Sequence, residues 1–473
     1  MKSSEHNPKH PTFEDFDLLD RKPFAQRLES FLLTERHFVP NSLVVSLNAG
    51  FGSGKSTFLE MWIDDLEKRQ KDDENAGIPI LLNAWESDYA GEPVMALLDS
   101  INTLLVKHSG EIASEKKESA LKEAVFDTAN YLVAYGNTVV SSLGLGDPIE
   151  AGEKAQAKKD QRQAWKRGIQ PLEDFRERRN AFQVLKRTLA DCFKESKRPV
   201  FIFIDELDRC RPDYAVTYLE TIKHLFDTEG LIFILAVDMN QLECSTRVLY
   251  GDLNFSEYFR KFCHRVVNLP EPSTRFITQL CQRYYEDYLL ASSTSGIRRS
   301  VLPSHSHYLD DIIKFVECLK LTPRQAQELF RILGHLTSTT KNTDSRLRPE
   351  IGAKAVFMTA LYLGNRLFFD KMVNGPFGLG DINPLLGSLF SKERDIDWWR
   401  RMLVGEQFDN DDVRPKIDVF LATVVESGVL PDVESSEQAH ERLKQFFAPY
   451  RDSTFSSIGK DIIGIVGFAD TWT

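Results

Sequence analysis

Short apolar runs recur through the first 270 residues and predict the strands of a parallel sheet. They occupy residues 43–47, 78–82, 200–204, 231–237 and 265–269. The third and fourth runs do not alternate apolar with polar positions, which is typical of strands buried on both faces. Segments of helical periodicity separate the runs, the first starting at Asp20 as its N-cap and ending at Leu33. The pattern therefore predicts an α/β domain of three layers, and after residue 272 helical periodicity alone continues.

Composition narrows the class of protein. Hydrophobic residues make up 42% of the 473 residues and charged residues 27%, which is typical of a soluble globular protein. The net charge of −11 argues against wholesale coating of nucleic acid. Six scattered cysteines with no CxxC pair predict a reduced, cytoplasmic setting without a zinc site. No run reaches the roughly 18 apolar residues of a membrane helix.

The most informative motif follows the first apolar run, at residues 49–57. A strand, a glycine-rich loop and a Lys-Ser pair that opens a helix predict a P-loop, whose N–H groups surround a phosphate. Lys55 is expected to reach the β- and γ-phosphates and Ser56 to ligate Mg²⁺. The alternative is a glycine-rich turn with a chance Lys-Ser, and Ala49 stands where the pattern begins with Gly. The predicted nucleotide-binding residues are Gly50, Gly52, Ser53, Gly54, Lys55, Ser56 and Thr57.

The third apolar run ends in two adjacent carboxylates, Asp205 and Glu206. In a P-loop ATPase such a strand end supplies one carboxylate to Mg²⁺ and another to the attacking water. Asp205 is the candidate metal ligand, together with Ser56, and Glu206 is the candidate general base. The alternative is a pair of solvent-facing carboxylates at a strand end. Asp208, Arg209 and Arg211 follow, either as a surface salt-bridge cluster or as supports of the catalytic loop.

Three further residues are candidates for contact with the γ-phosphate. Asp238 ends the fourth run, where a polar side chain could sense the phosphate or simply cap the next helix. Arg260 could supply a cation in its own chain or across a subunit boundary, and a solvated basic helix face is the alternative. Arg324 opens a helix after Thr322-Pro323, as a lid cation or as an ordinary exposed residue.

These patterns divide the chain into four predicted parts. Residues 1–108 hold an N-terminal helix and the first part of a P-loop NTPase core, and residues 191–272 hold the second part. Residues 109–190 are a helical, partly mobile insertion, since charges cluster there around a small-residue stretch. Residues 273–473 form a helical region that acts as a lid and an interaction domain.

Several of these motifs together resemble the KAP family of P-loop NTPases. The matching stretches are residues 20–25, 50–56, 83–85, 203–212, 222–226 and 236–238. The resemblance implies an additional-strand ATPase core with a Mg²⁺-ATP site. Many members carry membrane helices between the two nucleotide motifs, and this chain has an insertion there without one. Bacterial members are linked to exclusion of phage, which implies a possible antiviral role.

Three functions compete at this stage. The first is an ATP-hydrolysing switch that assembles with copies of itself, or with a partner protein, through residues 273–473. The second is a nucleotide-gated scaffold with little turnover. The third is an ATPase acting on nucleic acid, suggested by a basic stretch with interleaved acidic residues at 158–187. The chain has no Asn-Lys-x-Asp stretch of the kind that reads guanine, which favours ATP over GTP.

Overall fold

The apolar runs form a five-stranded sheet in which every neighbouring pair is parallel. The strands are β1 (Leu43–Asn48), β2 (Ile78–Asn83), β3 (Val200–Asp205), β4 (Leu231–Val237) and β5 (Arg265–Asn268). The computed structural model describes residues 11–73, 76–89, 92–142, 170–194, 196, 198–225, 228–290, 306–339, 349–374, 379–389, 399, 435, 438 and 455–470.

The strand order is β2-β3-β4-β1-β5. An additional strand, β4, thus lies between the strand that precedes the glycine loop and the strand that ends in Asp205. In the register of the sheet Asn48 lies beside Val237, and Ala236 beside Asp205. The carboxyl ends of all three strands therefore meet at one edge. The predicted fold, an α/β P-loop NTPase core with a parallel sheet of the additional-strand class, is confirmed.

The chain divides into two compact units, Met1–Glu271 and Pro272–Thr473. The helices of the first unit lie between and around the strands. They are α1 (Phe13–Phe16), α2 (Lys22–Glu35), α3 (Lys55–Arg69), α4 (Ala84–Asp88), α5 (Pro93–Lys107), α6 (Glu115–Ser142), α7 (Gln170–Phe193), α8 (Pro212–Leu225), α9 (Met239–Tyr250) and α10 (Phe255–Phe259). The helix α7 runs through the predicted boundary at residue 190.

Side chains from the two faces of the sheet enter two separate cores. On one face Phe203 packs edge-on against Trp62 of α3, with ring centroids 5.1 Å apart. On the other face Ile202 and Phe233 share a core with α5, α6, α7 and α8. All residues of β3 and β4 are buried, which explains why these runs do not alternate. Each fully buried large apolar side chain contributes about 1.5–3 kcal/mol to this three-layer arrangement.

The start of α2 differs from the prediction. Asp20 does not cap the helix; instead the carboxylate of Asp17 accepts hydrogen bonds from the N–H groups of Arg21 and Lys22, at 2.7 and 2.9 Å. Asp20 adopts a left-handed conformation with a φ of 49°. The chain turns sharply there, and this turn brings the earlier carboxylate under the first helical turn. The helix continues to Glu35, two residues beyond the predicted end.

The insertion between β2 and β3 is helical where it is described. The helices α6 and α7 pack together, with Leu121 and Leu185 in one buried core. Among the described residues, no helix combines the length and apolar character that crossing a membrane requires. Residues 143–169, which include part of the predicted basic stretch, lie outside the described residues.

The second unit is built from helices around a core of its own. They are α11 (Thr274–Tyr284), a π-helical segment (Tyr285–Leu290), α12 (Ser306–Cys318), α13 (Pro323–Thr339), α14 (Pro349–Gly364), α15 (Arg366–Asn374), α16 (Leu379–Leu389) and α17 (Phe455–Asp470). Phe315, Phe357 and Trp399 form an aromatic centre, in which Phe357 stacks on Trp399 at 4.8 Å. This buried position gives Trp399 a role in the core.

Candidate functional site

The loop at residues 49–54 joins β1 to the amino end of α3. Gly52 and Gly54 have φ values of 77° and 88°, a left-handed conformation that costs an L residue roughly 1–2 kcal/mol. A Cβ added at Gly54 would meet nothing within 4 Å. The Oγ of Ser53 is buried and has no hydrogen-bond partner among the described residues. Open space, an orphaned hydroxyl group and a helix amino end together fit a bound phosphate.

Lys55 is the first residue of α3, and its buried side chain folds back over the loop. Its Nζ donates a hydrogen bond of 2.6 Å to the carbonyl oxygen of Ala49 and lies 3.9 Å from Oδ2 of Asp208. Ala49 is not among the residues with a positive φ, and its N–H donates to the carbonyl oxygen of Val237. Alanine is therefore accommodated where the motif usually has glycine, and a cation is held beside the phosphate loop.

Ser56 and Asp205 come together from α3 and β3. The Ser56 side chain makes a hydrogen bond with the carboxylate of Asp205, which also accepts the N–H of Glu206 at 2.9 Å. Asp205 is only 7% exposed, and this burial raises the pKa of its carboxyl group, while the Ser56 hydrogen bond opposes the rise. A hydroxyl and a buried carboxylate side by side fit a hard cation such as Mg²⁺. The remaining predicted loop residue, Thr57, is half-buried in the first turn of α3.

A metal ion at this position would need further ligands from outside the protein. Among the described residues, no group of three or more His, Cys, Asp or Glu side chains could hold a metal ion. Mg²⁺ usually keeps several water molecules and binds through one or two protein ligands plus substrate phosphates. The Ser56–Asp205 pair next to the P-loop has the composition of such a site.

Glu206 begins a short 3₁₀ turn, Leu207–Arg209, and has a left-handed backbone with a φ of 60°. Its side chain is 15% exposed. The Nη2 of Arg209 lies 2.7 Å from Oε1, and the Nδ2 of Asn83 donates to Oε2 at 3.3 Å. Glu206 therefore lies at the same edge of the sheet as the P-loop, with both of its carboxylate oxygens engaged.

Asp208 and Asp238 connect the ends of β3 and β4. The N–H of Asp238 donates to Oδ2 of Asp208 at 3.0 Å, and Oδ1 of Asp238 accepts the N–H of Asn240, which caps α9. The other oxygen of Asp238 lies 3.9 Å from where a Cβ would stand on Gly50. Asp238 is thus a helix cap that also lies against the P-loop, so the two alternatives from the sequence are compatible.

The charged residues after β3 find separate partners and do not pair with one another. Asp208 faces Lys55, Arg209 pairs with Glu206, and Arg211 donates to both carboxylate oxygens of Asp88 at 2.9 Å. These separate partners favour the interpretation that the three residues support the loop that carries Glu206. They do not form a surface salt-bridge cluster among themselves.

Sequence reasoning missed the roles of two asparagines at the carboxyl ends of strands. Asn48 accepts the N–H of Met239 and donates to Oδ1 of Asn268, and so links β1, α9 and β5. Asn83 accepts the N–H groups of Trp85 and Glu86, and its amide then donates to Glu206. The available signal was a polar residue directly after an apolar run, because such residues point at the ligand edge of an open sheet.

Arg260 lies away from the phosphate loop of its own chain. It follows α10 and precedes β5, so it lies toward the amino ends of the strands, whereas the P-loop follows the carboxyl end of β1. Its neighbour Tyr258 contacts Tyr250, at the far end of α9. Because these two edges lie at opposite ends of the strands, the structure does not support a role for Arg260 in the nucleotide site of its own chain. Its role across a subunit boundary stays a prediction.

Arg324 belongs to the second unit, where it is exposed in the first turn of α13. Arg324 is therefore not one of the residues of the first unit that form the candidate nucleotide site. Its role as a lid cation stays a prediction. The described part of the basic stretch contributes exposed side chains on α7, namely Arg176, Arg179, Lys186 and Arg187.

Comparison with known proteins gives a family and a distant structural likeness. The model of the KAP family P-loop domain matches residues 21–340. No curated protein matches. A solved structure of the Aeropyrum pernix ORC2 protein in ADPNP-ADP complexes is 12% identical, with a TM-score of 0.35, and the match covers 95% of this chain and 98% of that one. Its ADP form is 11% identical, with a TM-score of 0.30 and the same coverage.

The family match spans both nucleotide motifs and about two thirds of the chain. It agrees with the additional-strand sheet and with the P-loop geometry described above. The chain belongs to the KAP family of P-loop NTPases.

Proposed function

We propose that this chain is a Mg²⁺-dependent ATPase that works as a nucleotide-driven switch. The observation that carries the proposal is the contact between Ser56 and Asp205, with Glu206 adjacent and the P-loop at the same edge of the sheet. An anion cradle, a hard-cation site and a carboxylate base at one edge of the sheet would support this function. ATP rather than GTP is proposed because the sequence has no guanine-reading stretch.

The chain's own groups account for most of the chemistry. The loop N–H groups and Lys55 would bind the β- and γ-phosphates, and Ser56 and Asp205 would hold the metal ion. When bound, Mg²⁺ supplies charge neutralisation on the transferring phosphoryl group. Glu206 would accept a proton from the attacking water, and Asp238, against Gly50, would contact the γ-phosphate. Because phosphoryl transfer is mainly positioning and electrostatics, these few groups suffice.

Steady-state hydrolysis of ATP with two variants tests this proposal. Lys55→Ala should lose ATP binding, whereas Glu206→Gln should keep it and lower kcat by about 10²-fold or more. Lys107→Ala and Glu243→Gln are matched controls, since both residues make exposed ion pairs outside the site. Wild-type rates in both site variants would reject the proposal. Omission of Mg²⁺ tests the requirement for the metal ion. GTP in place of ATP tests the preference for the adenine nucleotide.

One observation favours a second candidate, the nucleotide-gated scaffold. Both oxygens of Glu206 already have a partner, Arg209 and Asn83, and these two contacts hold the carboxylate in a fixed orientation. A scaffold would bind ATP tightly and release no phosphate under any condition. Measuring ATP binding and phosphate release on the same sample separates the two functions.

Assembly through residues 273–473 is part of the proposal as the output of the switch. Size-exclusion chromatography with light scattering, with and without Mg²⁺ and ATP, should show a change in mass that Glu206→Gln makes persistent. A mass that is the same in every nucleotide state would reject assembly as the output.

The antiviral role implied by the family resemblance can be tested separately. A host that expresses the chain should show a lower efficiency of phage plating than a host that expresses Lys55→Ala. Equal plating over a broad set of phages would count against this role without affecting the proposed hydrolysis.

A further inference from the structure

Arg209 makes three contacts that join the separate parts of the nucleotide site. Its guanidinium group pairs with Glu206 at 2.7 Å. The guanidinium carbon also lies 5.1 Å from the ring centroid of Phe51, in the P-loop, and 5.9 Å from that of Trp85, in α4. Glu206, Phe51 and Trp85 follow β3, β1 and β2, respectively. One cation therefore bridges the candidate base, the phosphate loop and the first helix after β2.

The two aromatic rings are largely exposed to solvent. Phe51 and Trp85 are each 53% exposed, so burial in a core does not explain their position. A cation over an aromatic face is attracted by the negative potential of the ring. Together the two rings form a clip, defined here as Phe51 and Trp85, that holds the guanidinium group over the site.

The backbone directs Arg209 toward Glu206. The 3₁₀ turn Leu207–Arg209 places the side chains of residues 206 and 209 on the same side, and the N–H of Arg209 donates to the carbonyl oxygen of Glu206 at 3.2 Å. The left-handed conformation of Glu206 is unfavourable for a residue with a Cβ. This strained turn makes the pair a specific feature of the loop, unlike an ordinary surface ion pair.

We propose that Arg209 restrains Glu206 and that the clip keeps the guanidinium group of Arg209 in this position. The inference rests on the proposed function, because it assigns regulation to the same base. Arg209 on Oε1 and Asn83 on Oε2 each take one of the accepting positions of the carboxylate and together hold Glu206 in one orientation. Phe51 belongs to the loop that surrounds the phosphates, so nucleotide binding there loosens the clip without fully releasing the guanidinium group, and the restraint still limits turnover when nucleotide is bound. Arg209 is thus a positioning residue that holds basal turnover low.

The test is steady-state ATP hydrolysis by the full-length protein with saturating Mg²⁺. Arg209→Gln should raise kcat about fivefold, which corresponds to ~1 kcal/mol, with KM within about twofold of the wild-type value. Arg209→Lys keeps the positive charge beside Glu206 and should stay close to wild type. Arg247→Gln is the matched control, since Arg247, on α9, makes exposed ion pairs with Glu243 and Asp252.

A second variant keeps the inference testable if Arg209→Gln folds poorly. Trp85→Ala removes half of the clip without touching Glu206 or the P-loop and should raise kcat by a smaller factor, about twofold, whereas Trp85→Phe should not. Binding of a fluorescent ATP analogue checks that each variant is folded.

The outcomes separate the restraint from the proposed function. If the wild type hydrolyses ATP and kcat of Arg209→Gln is unchanged or lowered, the restraint alone is overturned. A lowered kcat would further assign Arg209 to the reaction as a phosphate-binding cation. ATP binding with no phosphate release in wild type, Arg209→Gln and Trp85→Ala overturns the restraint together with the proposed hydrolysis.

Discussion

The side chain of Ser56 makes a hydrogen bond with the carboxylate of Asp205, which joins the first turn of the P-loop helix to the end of β3. Asp205 is almost fully buried at this position. A buried carboxylate that has only the Ser56 hydroxyl and the N–H of Glu206 as partners is costly unless it has a further task. A metal ion held between the two oxygens would account for both the burial and the pairing.

Asp205→Asn should therefore weaken the response to Mg²⁺ more than nucleotide binding itself. The amide keeps a hydrogen bond with Ser56 but loses the negative charge that a divalent cation needs. We expect the Mg²⁺ concentration at half-maximal hydrolysis to rise at least about tenfold and kcat to fall about 10²-fold. Asp213→Asn, on the exposed first turn of α8, is the control. An unchanged Mg²⁺ titration would place the metal elsewhere.

Asp208→Asn should strengthen nucleotide binding. Asp208 holds negative charge 3.9 Å from the ammonium group of Lys55, in a position that repels incoming phosphates. The asparagine oxygen can still accept the N–H of Asp238, so the turn is preserved. We expect the Kd of a non-hydrolysable ATP analogue to fall about threefold, as measured by isothermal titration calorimetry.

Asp72→Asn, at an exposed position after α3, should leave that Kd unchanged. Weaker binding in Asp208→Asn would show the opposite role, in which Asp208 holds Lys55 in its binding position.

Asp88→Ala should destabilise the first unit. The Asp88 carboxylate accepts both the backbone N–H and the Nε of Arg211, and so fixes α4 to the loop that carries Glu206. Its loss leaves a backbone donor without its acceptor and should lower the free energy of unfolding by about 2 kcal/mol. Asp252→Ala removes an ion pair whose carboxylate is 93% exposed and should cost less than about 0.5 kcal/mol. Urea denaturation followed by tryptophan fluorescence measures both, and equal costs would contradict the role of Asp88.

Thiol labelling should single out Cys244 on α9. Burial raises the pKa of Cys210, Cys263 and Cys281 to about 12, so that at pH 8 roughly one molecule in 10⁴ carries the reactive thiolate at each. Cys244 is exposed, whereas the exposed Cys318 bonds the carbonyl oxygen of Leu389. Iodoacetamide should therefore modify Cys244 first, and mass spectrometry of the peptides reports the order. Rapid labelling of Cys263 would indicate that β5 opens in the native protein.

The strands, the P-loop and the Asp205–Glu206 pair were predictable because each depends on a local pattern. Apolar runs mark buried strands, and glycines mark a loop that needs positive φ. The partners of Asp208, Arg209 and Arg211 were not predictable, since they depend on the left-handed backbone of Glu206. No side-chain pattern indicates a positive φ at a glutamate.

Arg260 shows the other limit of sequence reasoning. A basic cluster near a strand is equally visible at either end of that strand, and only the parallel register of β1 and β5 reveals the edge. The predicted Asp20 cap was wrong because a sharp turn brings the carboxylate of Asp17, further upstream, to the start of α2.

The position of β4 between β1 and β3 also sets when the site can form during synthesis. The strand before the P-loop has β4 and β5 as its two neighbours, and both are made about 190–220 residues later. At roughly 5–20 residues per second, the nascent glycine loop waits on the order of 10 s or more for a partner strand. Until then Leu43–Asn48 is an apolar segment with two unpaired edges. A ribosome that pauses before residue 231 would therefore hold the chain in an aggregation-prone state, with the phosphate loop present but its strand still unpaired.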